Sequence, residues 1–168
     1  MKKDITIIFS VLLLAALCFA PLIVYETRYD DAQKQVGRAL DIKLDVLAGG
    51  IVEEHISSYG FHGDGETYIQ IRFEDDSAIL RELEKNNWNH TPVPEDLRRL
   101  LNYMNGMEGI QLPSDEEIGE GYFYFLDRHS DAINRQDSRA ALGRYSENLT
   151  ATFYSIARKT LWYSKFDS

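Results

Sequence analysis

The sequence predicts an α+β protein: one N-terminal transmembrane helix, then a mostly antiparallel sheet of about five strands with two or three short helices. Three observations lead there. Ile5 to Tyr25 contains no charged residue. Two groups of β-prone runs lie at the front and back of the remainder, and the helix-period segments fall between them, an order that favours a sheet with segregated helices over alternating βαβ units.

Ile5–Tyr25 is 21 residues long, about 31 Å of helix, which matches the hydrocarbon thickness of a bilayer. It is apolar all round, where a core helix would show a single stripe. Lys2 and Lys3 precede it, and Glu26, Asp30 and Asp31 outnumber Arg28 after it. The positive-inside rule therefore orients the N-terminus inward. The expected layout is a cytoplasmic N-terminus (1–4), an anchor (5–25), a juxtamembrane helix (26–48) and an extracytoplasmic domain (49–168) on a bacterial cell membrane. Two alternatives remain open: cleavage as a signal peptide near Ala16-Leu17-Cys18, and lipidation of Cys18.

Within 26–48, Val36, Leu40, Leu44 and Leu47 recur at near-helical spacing, and Gly49-Gly50 supplies a stop. Ile51–Tyr59 and Thr67–Phe73 read as strands joined across His62-Gly63-Asp64-Gly65, with Asp-Gly as the hairpin signal. Thr67, Ile69, Ile71 and Phe73 alternate with Tyr68, Gln70 and Arg72, which predicts cover on one side of the sheet. Asp76 or Ser77 starts a helix bearing Ile79, Leu80 and Leu83. Pro94-Glu95-Asp96 starts another, bearing Leu97, Leu100, Leu101 and Met104 and stopped by Gly106. Trp88, between them, reads as a core plug. Tyr122–Leu126 is apolar on both faces and predicts a central strand, with both preceding helices on one of its faces. A long polar loop follows, with a helical turn near Arg139–Leu142. Leu149–Ala157 and Thr160–Phe166 then close the sheet as a hairpin across Arg158-Lys159.

The combination of an N-terminal anchor, HGDGETYIQIRF (62–73), Trp88 with a proline-started helix, GYFYFLDRHSD (121–131) and the block 147–168 resembles an uncharacterised family of small membrane-anchored proteins from Firmicutes-type bacteria. The resemblance implies a bacterial origin and an anchored domain, and carries no assigned activity.

Charge and composition narrow the function classes. Setting aside Lys2, Lys3 and Asp4, 16 basic and 26 acidic residues remain, a net of −10. Such a field repels nucleic acid and anionic headgroups and attracts basic proteins. The single cysteine, Cys18, excludes a disulfide-rich scaffold. His62, Asp64 and Glu66 place an imidazole and two carboxylates within five residues, the positions a metal site would use. A hard-cation site needs more oxygen ligands than these, and turn chemistry accounts for Gly63, Asp64 and Gly65, so no metal and no cofactor are predicted. Asp127 and His129, two apart at a strand end, share one face and are the candidates for acid–base chemistry. No nucleophile elbow, zinc-binding H-E-x-x-H pattern or phosphate loop accompanies them. The expected function is a non-enzymatic, membrane-anchored extracytoplasmic binding or accessory domain, for example an immunity-type inhibitor of a basic protein. The alternative is a surface hydrolase using Asp127 and His129.

Overall fold

A computed structural model describes residues 32–44, 49–59, 64–86, 88–105, 112–142, 144, 146 and 148–167. Residues 32–40 are helical (α1). After them come β1 (Gly49–Tyr59), β2 (Asp64–Phe73), α2 (Ser77–Lys85), β3 (Asn89–His90), α3 (Glu95–Met104), α4 (Asp115–Ile118), β4 (Gly121–Asp127), a 3₁₀ turn (Ser138–Ala140), β5 (Asn148–Ser155) and β6 (Thr160–Asp167). The strands form one sheet in the order β1-β2-β6-β5-β4-β3, every neighbouring pair antiparallel.

The sheet is the middle of three layers. On one face Ile69, Ile71, Phe73, Tyr122, Tyr154, Leu161 and Tyr163 pack against Ala32, Val36 and Leu40 of α1 and Ile79 and Leu83 of α2. On the other, Tyr68, Phe123, Phe125, Phe153, Trp162 and Phe166 meet Leu97, Leu100, Leu101 and Met104 of α3, Ile118 of α4, and Ala141. The period-two alternation of β2, β4, β5 and β6 feeds both cores. Tyr68, expected on an uncovered side, is only 3 % exposed, so β2 is covered on both sides there. Trp88 is buried as expected and stacks on Tyr124, ring centroids 5.4 Å apart.

The α+β class and the antiparallel sheet of about five strands hold, with the two-residue β3 added. The transmembrane helix gains no such support. No helix among the described residues is long and apolar enough to cross a membrane, and the predicted span 5–25 lies outside the described residues. The single-pass localisation, the extracytoplasmic placement and the membrane contact all rested on that span, and the described residues give them no support.

Several local expectations also change. α1 ends at Leu40, well before Gly49-Gly50, because Asp41 turns into the left-handed region (φ 55°) and the Ile42 amide donates to Gly37 O at 2.9 Å. This is a Schellman closure with aspartate where glycine is usual. A Cβ on residue 37 would lie 2.7 Å from Ile42 O, so only glycine lets the chain fold back so closely. Asp64 and Gly65 are strand residues, paired with Tyr59 and Ser58, and not the turn that Asp-Gly suggested. The ladder leaves residues 60–63, outside the described residues, as the connection.

β4 is second from the edge and not central; β5 and β6 hold the middle. Leu83 and Leu100 lie on opposite faces of the sheet instead of sharing one. The chain changes faces at β3, which runs along the edge of β4 between α2 and α3. α4 is set by a capping box, in which the Ser114 side chain accepts from the Glu117 amide and the Glu117 carboxylate accepts from the Ser114 amide. Those bonds hold the Glu117 carboxyl below its ordinary value.

Candidate functional site

At the end of β4 the Asp127 side chain is completely buried. Its Oδ1 accepts the His129 amide at 3.0 Å and its Oδ2 is ion-paired with Arg144. Next to it Arg128 Nε donates to Thr150 Oγ1, its Nη2 donates to the carbonyls of Leu149 and Phe166, and its Nη1 pairs with Asp167 at 2.7 Å. These bonds fasten the chain leaving β4 to the ends of β5 and β6.

His129 does not face Asp127. Its Nδ1 lies 3.2 Å from the Asp131 amide nitrogen, and its Nε2 lies 3.2 Å from Ser146 Oγ. A general base must offer a bare nitrogen to the hydroxyl it activates. Here the ring nitrogens meet Asp131 and Ser146, and both Asp127 oxygens are engaged elsewhere, so Asp127 does not orient the ring. The expected acid–base pair is therefore not assembled, and the hydrolase reading is corrected: this is a structural clasp.

The residues considered for a metal fare no better. His62 lies outside the described residues. Asp64 and Glu66 are two apart on β2, and Glu66 is buried. Among the described residues no group of three or more His, Cys, Asp or Glu side chains is placed to hold a metal ion.

A cleft elsewhere brings together residues that the sequence did not single out. Its volume is about 520 Å³, and it is lined by Lys34, Gly37 and Arg38 of α1, Asp41, Ile42 and Lys43 of the turn after it, and Glu82, Lys85 and Asn86 at the end of α2. α1 is held against the sheet by Ala32, Val36 and Leu40, which leaves Lys34 and Arg38, four apart and so on one helical face, along the cleft. Ile42 is buried beneath the turn. Lys85 Nζ lies 3.8 Å from Glu82 Oε1, and Asn86 closes α2 by donating its backbone and side-chain N–H groups to Glu82 O at 3.1 and 2.9 Å. Burial pushes the Tyr124 hydroxyl above its ordinary value, and the Asp41 charge adds to that shift; Asp41 thus lies near the half-buried rim of the sheet. The only sequence signal was the basic pair Lys34 and Arg38 at helical spacing. The approach of residues 34–43 to 82–86 is tertiary, and no local pattern encodes it.

No protein-family model matches the chain, and no curated protein and no solved structure matches it. The resemblance to a family of small anchored proteins therefore does not stand. The tethered accessory or immunity-type function rested on the anchor and on that resemblance and has no support from the described residues, and nothing among them supports a basic protein partner.

Proposed function

We propose that this protein is a binding module for a small polar molecule, and that the cleft between α1 and α2 is its site. The observation that carries this reading is the cleft itself. A volume of about 520 Å³ lies within the range of small-molecule sites, about 300–1,000 Å³. Its walls are the ends of two helices seated on one sheet face, elements fixed by their own core contacts. Rigid walls lower the ordering cost of binding.

The lining favours a polar ligand. Ile42 is its one apolar side chain beside Gly37, and six of the nine lining residues carry charge. Binding without turnover is the simpler role for this set, since the described residues of the lining include no serine, cysteine, threonine or histidine to serve as a nucleophile or neutral-pH proton carrier.

Amide chemical shifts of the ¹⁵N-labelled full chain, titrated with neutral, cationic and anionic small polar molecules, test the reading. Shifts clustered at residues 34–43 and 82–86 for at least one class are expected. Shifts confined to other parts of the sheet, or none with any class, would reject the cleft as the site.

A further inference from the structure

We infer that the ligand of the α1–α2 cleft is a small multivalent oxyanion, carrying phosphate or carboxylate groups and no aromatic ring. This rests on the reading of the cleft as the binding site and adds the chemistry of what fills it. The lining holds four cations, Lys34, Arg38, Lys43 and Lys85, against two acids, Asp41 and Glu82. It is therefore locally positive in a chain whose formal charge is −9. Scattered surface lysines would not produce that sign reversal, whereas a site for an anion requires it, because the surrounding field otherwise repels the ligand.

The acids do not cancel the cations equally. Glu82 is engaged by Lys85 at 3.8 Å, while Arg38 and Lys43 make no ion pair among the described residues. Both are exposed at the cleft wall. The guanidinium fork of Arg38 suits a phosphate or carboxylate edge, and the Lys43 ammonium supplies a point charge beside it.

Two helix C-termini border the cleft, and their free carbonyls would oppose an anion. Both ends are capped. Gly37 O accepts the Ile42 amide, Glu82 O accepts the Asn86 backbone and side-chain N–H groups, and Leu83 O accepts the Trp88 amide. Three of the carbonyl oxygens at these ends, those of Gly37, Glu82 and Leu83, thus already have donors.

Valency and shape follow from placement. The two cations without an ion pair among the described residues come from different segments, Arg38 from α1 and Lys43 from the turn, so two anionic groups meet them better than one. A ligand with two or more anionic groups spans the walls. Among the described residues no aromatic side chain lines the cleft, so they offer no stacking surface for a nucleobase.

Calorimetric titration of the full chain with pyrophosphate, citrate and neutral glucose separates the cases. At low salt, pyrophosphate or citrate should bind, and binding should weaken as salt is added. Arg38→Gln and Lys43→Gln should each weaken it by about tenfold, the loss expected for one charge-assisted contact. Asp41→Asn removes the opposing carboxylate while keeping a residue that tolerates the left-handed turn, and should tighten binding by about threefold. A gain of affinity cannot arise from damaged folding. Pyrophosphate alone would assign a phosphate ligand, and citrate binding equally well a polycarboxylate. Glucose bound at the cleft with neither anion would overturn the oxyanion inference and leave the site standing. Anion binding indifferent to all three substitutions would overturn the inference too. No binding by any of the three probes, together with no cleft shifts in the amide titration, would remove the site itself.

Discussion

Asp127 and Arg144, 17 residues apart in the chain, form an ion pair in which the carboxylate is wholly buried and the guanidinium half-buried. Asp127 belongs to β4, and Arg144 to the loop returning from it. Their pairing closes that loop, together with the Asp127 amide donating to Arg135 O at 2.6 Å.

Arg144→Met is expected to destabilise the protein by about 3–5 kcal/mol, because it strands a buried carboxylate without its partner. Adding Asp127→Asn should recover part of that loss, since no charge then remains to be desolvated. Denaturant melts of the two single variants and the double variant give the coupling. Strictly additive losses would show that the pair does not act as a unit.

Gly121 is expected to be irreplaceable. A Cβ there would lie 1.9 Å from Tyr154 O on the paired strand, and backbone cannot yield as a flexible side chain does. Gly121 is also gripped from the edge: its amide donates to Thr91 Oγ1 and its carbonyl accepts the Thr91 amide, each at 3.1 Å. Gly121→Ala should cost about 3 kcal/mol, the upper part of the usual overpacking range, and loosen β3 from β4. Hydrogen exchange at Thr91 and Gly121 measures this, and protection equal to wild type would contradict it.

Phe125→Ala should cost about 3–5 kcal/mol, the usual loss for truncating a buried aromatic. Phe125 is 3 % exposed and shares its core with Leu97, Leu100 and Ala141. Thermal melts decide the matter; an unchanged midpoint would mean that this face of β4 is not packed as described.

Alkali should unfold the protein through its buried tyrosines. Burial is the main cause that pushes the Tyr163 phenol up to about 12 from an ordinary 10.0, and burial raises Tyr154 as well, with the Asp76 charge adding to it. The folded state holds these protons more tightly than the unfolded chain. Their contribution is therefore fully present below pH 10 and is lost as pH rises from about 10 to about 12. Phenolate absorbance followed alongside circular dichroism should show a late tyrosine fraction that ionises together with unfolding. Ionisation of all ten tyrosines near pH 10 with the fold intact would refute this.

How much of this was legible in the sequence differs from element to element. The β5–β6 hairpin and α3 were readable because each carries its own signal, alternation in one and a Pro-Glu-Asp start with a leucine stripe in the other. The position of β4 was not readable. Apolar residues on both faces report cover on both sides, and a second-from-edge strand between two helical layers has that cover as fully as a central one. The split of α2 and α3 across the sheet was hidden as well. A hydrophobic stripe says which side of a helix is buried, but not which face of the sheet receives it. The short run Asn89–His90, which carries the chain around the edge, is too brief for any periodicity. At the β1–β2 hairpin Asp64-Gly65 gave a turn signal that ladder pairing with Ser58 and Tyr59 overrode. At Asp127 and His129 strand alternation did not apply, because β4 ends at Asp127 and the loop beyond it carries the His129 ring to Ser146. The cleft residues needed two segments about forty positions apart to meet.

The strand order has a consequence for how the chain comes into being. β2 meets the rest of the sheet only through β6, and β4 only through β5. While the ribosome is still short of residue 148, the β1–β2 hairpin and the β3–β4 pair have no ladder between them. Each shows an open edge that a neighbouring nascent chain can occupy. The sheet closes when the last hairpin slots into the gap, a step dominated by contacts distant in sequence and hence slow. Each chain waits for residues 148–167 with those edges open, so slower initiation, which spaces nascent chains apart, is expected to raise the recovery of native protein.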